Sequence, residues 1–277
     1  MDHGVRLTLA YDGTDFAGFQ LQPDTRTIQA VLEHAIQQIT QHPVRVRGAS
    51  RTDAGVHAEG QVVAFSTSRQ LPPRRWLLAI NRYLPDDVAV QDVAACEPDY
   101  NPRFDALEKT YRYLFHLGVA RDPLHRHRAW HLGRHAHVRD NAVLSDARLA
   151  LDLAAMQRTC ELFVGTHDFR AFRSSDDIRD NSRRTLYRMQ LLPEFWGQPN
   201  HLALEVTGSA FMKQMVRIMA GALIAVGRGN RTPEQIAELL RPGQSRDPIC
   251  ETAPATGLTL LQIKLGRIRA QASHSAP

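Results

Sequence analysis

The sequence has few cysteines, no long apolar run and almost no lysine. Its three cysteines, Cys96, Cys160 and Cys250, lie far apart, which excludes a disulfide framework and a zinc knuckle. The longest apolar run, Ile218 to Val226, is nine residues, whereas a membrane helix needs about 20. The first residues include no apolar stretch before a small-residue cleavage site, so we expect no secretory signal. We therefore predict a cytoplasmic globular protein.

Arginine, by contrast, is abundant. The net charge is +5, and all but three of the 34 Lys and Arg residues are arginine. Residues 111–140 carry six Arg and six His against two Asp, and residues 170–188 carry six Arg against three Asp. The guanidinium group binds phosphate through two hydrogen bonds and stacks on bases. Codon bias or a need for solubility also produces surplus arginine, but the clustering favours a nucleic-acid partner.

The hydrophobic periodicity predicts the element order β-α-β-β-α-β twice. The first set has strands at 6–10, 44–48, 61–66 and 88–93, a helix capped by Thr27 and a helix at 73–83. The second set has strands at 109–117, 185–191, 202–206 and 258–263, and helices at 149–163, from Ser209 to Val226, and from Thr232. This order predicts an α+β protein with two ferredoxin-like (RRM-like) halves and antiparallel sheets. We assign them to residues 1–104 and 105–265, with 266–277 as a flexible polar tail.

The loop from Gly48 to Ala58 lies between two predicted strands and contains a single carboxylate, Asp53. Catalytic groups are often found in loops that a rigid sheet presents. The neighbouring Arg51 would keep the carboxylate ionised, as a nucleophile or a base requires. A hairpin turn built around Asp53, with Arg51 as a surface partner, explains the same residues. The residues by themselves leave both interpretations open.

The eight residues from Arg51 to Ala58 resemble the active-site motif of the tRNA pseudouridine synthase A family. Further matches follow in the order of the family: Tyr11–Gln20, Phe104, Lys109–Tyr113, Gly165–Phe169, Arg184–Thr185 and Gly208–Arg217. The resemblance implies the pseudouridine synthase fold, a homodimer and no cofactor. It also implies isomerisation of uridine to pseudouridine at positions 38, 39 and 40 in the anticodon stem-loop of tRNA.

The resemblance also implies roles for individual residues. Asp53 matches the catalytic nucleophile that breaks the N1–C1′ bond, and attack on the sugar or on the base stays open. Tyr111 matches the tyrosine that stacks on the uracil and takes part in proton transfer. Arg217 is expected to pair with Asp53, and Arg51 and Arg184 are expected to bind substrate.

The residues themselves give other interpretations of Tyr111 and Arg217. Tyr111 lies on a strand face with Tyr113, so its ring can equally belong to the core. Arg217 lies in a helix that is apolar nearly all round, where a charge is costly unless a carboxylate pairs with it. An arginine whose charged end reaches solvent at a domain edge is the alternative.

Two stretches of basic residues need a separate interpretation. An RNA track is predicted from Arg170, Arg173, Arg179, Arg183 and Arg184, with a possible extension through Arg26, Arg74, Arg75 and Arg82. The histidine-rich stretch contains His125, His127, His131, His135 and His137. No cysteine or carboxylate arrangement completes a metal site there, so we predict no metal. The link 133–149 is longer than is usual in the family, and its role stays open.

Two other functions are compatible with parts of the sequence. A catalytically silent RNA-binding module on the same fold would keep the basic track, but the intact Asp53, Tyr111 and Arg217 argue against it. A zinc hydrolase would use the histidine-rich stretch. Gly227–Gly229 follows a predicted helix and therefore indicates a helix end rather than a dinucleotide-binding loop.

Overall fold

The computed structural model describes residues 2–133, 151–177 and 179–266. The first part of the predicted helix at 149–163, His135, His137, most of the link 133–149 and the tail from 267 lie outside these residues. Contacts divide the chain into two compact units. Unit one comprises Met1–Lys109 and Thr259–Pro277, and unit two comprises Thr110–Leu258. Among the described helices, none is long and apolar enough to cross a membrane.

Helices and strands are interspersed along the chain. The first are β1 (His3–Tyr11), α1 (Ile28–Thr40), β2 (Arg47–Gly48), β3 (His57–Thr67), α2 (Pro73–Tyr83), β4 (Val88–Cys96) and α3 (Pro102–Asp105). The following ones are β5 (Ala106–His116), β6 (Trp130–His131), α4 (Leu153–Phe163), β7 (Gly165–Asp168), β8 (Arg183–Pro193), β9 (His201–Gly208), α5 (Met215–Gly227), α6 (Pro233–Glu238) and β10 (Leu258–Leu265). The predicted mixture of helices and strands is confirmed.

Four strands of unit one lie in the order β4-β1-β3-β2, and each neighbouring pair among them is antiparallel. The predicted cap of α1 is confirmed, because the Thr27 side chain accepts a hydrogen bond from the backbone N–H of Ala30. The predicted strand at 44–48 is shorter in the structure. The backbone N–H of Val46 donates to the Glu33 side chain at 2.9 Å, so this residue has a side-chain acceptor in place of a strand neighbour.

In unit two the strand order is β5-β9-β8-β7, and β6 lies parallel to β5. The predicted antiparallel pairing of β8 with β9 is confirmed. The predicted start of α6 is also confirmed, because Thr232 and Gln235 form a reciprocal capping box. Gly229 follows the end of α5 at a positive φ of 71°, as a helix end requires and as the sequence predicts.

The prediction of a helix from Ser209 is wrong, because α5 begins at Met215. The backbone N–H of Ser209 donates to the carbonyl of Thr185 at 2.9 Å, which joins this segment to β8. Lys213 precedes the helix and forms an ion pair with Asp176 at 2.5 Å. Lys213 therefore lies outside α5, and Arg217 is the only charged residue of that helix.

The last strand groups with unit one, although it follows the helices of unit two in the chain. Thr259 and Leu260 of β10 pair in parallel with His57 and Ala58 at the start of β3. This long-range pairing brings β10 to the strand that follows the Asp53 loop. Sequence order alone had placed β10 in the second half.

Candidate active site

Asp53 lies, as predicted, in the loop between β2 and β3, and it is half-buried. The backbone N–H of Val56 donates to the Asp53 carbonyl at 3.2 Å, and Gly55 has a positive φ of 77°. A tight turn of this kind favours glycine, because its left-handed conformation is costly for other residues. The hydroxyl groups of the buried Thr52 and of Tyr11 lie 2.8 Å apart. The loop is therefore held from within and from β1.

The segment after β1 packs its backbone directly against this loop. Phe19 donates its backbone N–H to the Thr52 carbonyl at 3.1 Å, and Gly13 donates its own to His57 Nδ1 at 3.1 Å. A Cβ atom at Gly13 would lie 2.0 Å from the carbonyl oxygen of Val56. Two sequence motifs of the resemblance, Tyr11–Gln20 and the Asp53 loop, thus form one structure within unit one.

The side chain of Lys109, at the end of unit one, supports the first residues of the Asp53 loop. Its Nζ donates to the carbonyl of Ala49 at 2.9 Å and to the hydroxyl of Ser50 at 3.3 Å. Burial, assisted by the positive charge of Arg103, lowers the pKa of Lys109 to about 8. Sequence reasoning included Lys109 in a family match but assigned it no function. A buried amine is invisible in the sequence because its burial depends on the fold.

Tyr111 lies on β5 in unit two, and it is only 6% exposed. Tyr113 and Phe115, on the same strand face, are fully buried, but Leu114 between them is also buried, so burial does not alternate along this part of β5. The ring of Tyr111 packs edge-on against Phe211, with ring centroids 5.1 Å apart. Tyr113 donates its hydroxyl to the carbonyl of Pro254 at 2.7 Å, so that hydroxyl has a structural partner.

Arg217 is in the first turn of α5, and every other residue of this helix is buried. Its Nε donates to the carbonyl of Ala253 at 2.7 Å, and the backbone N–H of Ala253 donates to the Arg217 carbonyl at 3.2 Å. The exposed N–H groups of a helix N-terminus disfavour a cation there. The carbonyl of Ala253 offsets part of this cost and fixes the guanidinium group.

The predicted RNA-track arginines in unit two differ in how they are bound. Arg179 forms an ion pair with the buried Asp177 and is therefore neutralised locally. Arg184 donates Nη1 to the carbonyl of Arg183 at 2.6 Å, while its buried Nε has no acceptor among the described residues. Burial and, to a smaller extent, the positive charge of Arg179 lower the pKa of Arg184 below its usual value. The negative charge of Asp177 acts in the opposite direction. Arg184 thus keeps a guanidinium nitrogen without an acceptor among the described residues.

The other arginines predicted to contact substrate or RNA are likewise either paired within the protein or exposed. In unit one, Arg26 makes two hydrogen bonds to Asp87, at 2.8 and 2.9 Å, and stacks on Phe16. Arg51 is exposed at the start of the Asp53 loop. The three arginines predicted on or beside α2 are also exposed: Arg74, Arg75 and Arg82. Arg26 is committed to the structure, whereas the exposed ones remain available to solvent.

Comparison with known proteins shows to which family this chain belongs. A family model described as tRNA pseudouridine synthase matches residues 8–105 and 159–264. The tRNA pseudouridine synthase A of Geobacter sulfurreducens is 41% identical over 261 residues, which cover 94% of this chain and 98% of that protein. The proteins of the same name from Pelobacter propionicus and Shouchella clausii are 39% and 38% identical, over 94% of this chain and 98% and 92% of their own lengths. The chain belongs to the tRNA pseudouridine synthase family.

The family model does not match all five of the residues predicted for the site. Asp53, Arg51, Arg184 and Arg217 lie within the two segments that the tRNA pseudouridine synthase model matches. Tyr111 lies in the stretch between them, 106–158, although the relatives named above cover nearly all of the chain. The roles of these five residues remain predictions.

The lowered pKa of Lys109 gives a test of how the loop is supported. Between about pH 8 and pH 10 the unfolded chain binds more protons at this group than the folded chain, so folding is favoured as the pH rises. We expect the free energy of unfolding of the wild type, relative to Lys109→Met, to increase between pH 8 and pH 10. Urea unfolding at both pH values measures it. Lys264→Met, which removes an exposed lysine paired with Glu108, is the control. An unchanged difference would contradict the burial of a charged amine at Lys109.

Proposed function

We propose that this protein isomerises uridine to pseudouridine in tRNA, at positions 38, 39 and 40 of the anticodon stem-loop. The observation that carries the proposal is the Asp53 loop, which combines the family motif with a rigid setting against the segment after β1. The relatives named tRNA pseudouridine synthase A, which match 94% of the chain, support it further. The alternative, an RNA-binding module without activity, would not need the carboxylate.

The finer fold assignment is part of the proposal. The order β4-β1-β3-β2 with two helices supports a ferredoxin-like first half. In the second half, β5, β9 and β8 lie in the corresponding order of first, third and second strand. We assign these halves to residues 1–104 and 105–265. A homodimer in the cytoplasm is the expected form, and light scattering at twice the chain mass would support the dimer.

The reaction needs a carboxylate but no redox partner. Asp53 is the proposed nucleophile, and the N1–C1′ bond breaks while the base stays bound. The freed uracil turns, C5 joins C1′ as the bond to Asp53 is released, a base removes the C5 proton, and N1 takes up a proton. Because the number of atoms and electrons is unchanged, no cofactor is consumed. The uridine must first leave its stack, since a side chain cannot reach C1′ or C6 in a paired or stacked base.

Tyr111 and Arg217 are the other proposed members of the site. Tyr111 is expected to stack on the uracil and to take part in proton transfer. The charge of Arg217 is expected to support the ionised form of Asp53. The fixed guanidinium of Arg217, on an otherwise buried helix, supports a role beyond packing.

Asp53→Asn tests the nucleophile. The amide keeps the shape of the side chain and can still form a turn, but it is a very poor nucleophile. We expect pseudouridine formation to be lost while tRNA binding and the melting temperature are kept. Tritium release from tRNA labelled at uridine C5, measured with enzyme in excess, excludes slow product release as the cause. Asp86→Asn, at an exposed position, is the control. Near wild-type turnover in Asp53→Asn would rule out this mechanism.

Arg217→Met and Arg217→Lys test the role of the positive charge. Methionine keeps much of the bulk and removes the charge, so we expect turnover to fall by about two orders of magnitude. Lysine keeps the charge, so Arg217→Lys should retain more turnover than Arg217→Met at equal thermal stability. Single-turnover rates and melting curves of both variants are the measurement. Equal rates in the two variants would assign Arg217 a purely structural role.

Arg184→Met tests the proposed RNA track. If Arg184 contacts a phosphate, its loss should weaken binding and make the slope of log binding constant against log salt less negative by about one. Filter binding of tRNA at several salt concentrations gives the slope. Arg241→Met removes an exposed arginine that pairs with Glu238 and serves as the control. A slope unchanged from wild type would place Arg184 outside the RNA track.

A further inference from the structure

Unit two contains a group of imidazoles and a carboxylate that the proposed reaction does not use. His116 is the last residue of β5, His201 is the first of β9, and Asp122 lies in the loop between β5 and β6. One potential ligand atom from each of the three lies within 4.8 Å of the other two. His201 Nε2 is 3.2 Å from Asp122 Oδ2. The histidines are only 6% and 3% exposed.

The hydrogen bonds of His116 leave a buried lone pair. Its Nε2 lies 2.9 Å from the carbonyl oxygen of Ala120, and only a protonated nitrogen can donate to a carbonyl. In a neutral ring, Nδ1 therefore carries the free lone pair. This atom is buried and has no hydrogen-bond partner among the described residues. An imidazole whose N–H donates to a carbonyl while its second nitrogen stays free has the arrangement of a metal ligand.

The same pattern recurs at one neighbouring histidine. His131 Nε2 lies 2.7 Å from the carbonyl oxygen of Gly118, and its buried Nδ1 also has no partner within the described part of the chain. His201 differs, because its Nε2 faces the Asp122 carboxylate, while its buried Nδ1 has no described partner. Unsatisfied buried nitrogen atoms are costly, and the free lone pairs of His116 and His131 indicate a missing electron-pair acceptor near them.

Asp122 is oriented by its own loop. The backbone N–H groups of Leu124 and His125 donate to its Oδ1 at 3.0 and 3.2 Å. His125 Nδ1 lies 2.7 Å from Oδ2. These contacts orient the carboxylate before any ligand arrives, and they leave Oδ2 close to His201. A ligating carboxylate is usually supported in this way by further hydrogen bonds.

We propose that His116, His201 and Asp122 bind one divalent transition metal, with zinc as the best-suited ion. Two imidazoles and a carboxylate form a common zinc ligand set, and water can complete a tetrahedral site. The ion would join the loop between β5 and β6 to the start of β9, as a structural element. His116 and Asp122 lie in the stretch 106–158, which the family model does not match. The proposal is independent of the isomerase activity.

The test uses the full-length chain, freed of metal with a chelator and titrated with zinc chloride in a calorimeter. We expect one zinc per chain and a rise of the melting temperature with zinc, because a ligand that binds only the folded state stabilises it. His201→Gln should bind zinc at least tenfold more weakly and lose the rise. His127→Gln removes an exposed residue of the histidine-rich stretch, and this variant should behave like the wild type. No stoichiometric binding by the wild type, or equal losses in both variants, would overturn the proposal.

A second variant keeps the test decisive if His201→Gln does not fold. Asp122→Asn can still accept the backbone N–H groups of its loop, but it loses the anionic ligand. We expect circular dichroism of metal-free Asp122→Asn to match the metal-free wild type, and its zinc affinity to fall at least tenfold. Cobalt(II) added to the wild type should give the visible absorption of a tetrahedral site, which zinc should remove. Wild-type zinc affinity in Asp122→Asn, or a spectrum of hydrated cobalt alone, would contradict the proposed ligands.

Discussion

The close approach of the Gly13 backbone to the Asp53 loop is the constraint on which the rest of the site depends. No side chain fits at Gly13, because a Cβ atom would lie 2.0 Å from the Val56 carbonyl. The approach allows the Gly13 N–H to reach His57 and allows Phe19 to hold Thr52. The residues on both sides of Asp53 are thus fixed by a segment from earlier in the chain. Catalytic carboxylates need such rigid positions, since misplacement by about 1 Å can cost about 100-fold in rate.

The predictable parts of the molecule are those that depend on local chemistry. The caps at Thr27 and Thr232 and the α2 helix at 73–83 follow from residues that are close together in the chain, and the structure contains all three. The helix start at Ser209 was mispredicted, because a serine before an apolar run resembles a cap. A tertiary hydrogen bond to Thr185 holds it instead.

Contacts between residues that are far apart in the chain could not be predicted from the sequence. The buried Lys109 amine is recognisable only when its neighbours are in place. The group of His116, Asp122 and His201 is a sharper example, because the sequence suggested zinc ligands only within the histidine-rich stretch. All three residues lie outside the stretch from His125 to His137 that suggested zinc, and Asp122 joins the two histidines only through the loop between β5 and β6. Spacing along the chain cannot reveal a site that the ends of two strands create.

Family membership, the rigid setting of the Asp53 loop and the basic residues all support the same proposed chemistry. That chemistry is the isomerisation of uridine in tRNA. In the proposed division of roles, arginine contacts provide affinity for the RNA backbone, and Asp53 carries out the reaction. The most direct measurement is mass-spectrometric mapping of pseudouridine in an unmodified tRNA transcript incubated with the purified chain, with no cofactor added. The account predicts pseudouridine at positions 38, 39 and 40 where uridine is present, and none elsewhere. A transcript that is bound but remains unmodified would contradict it.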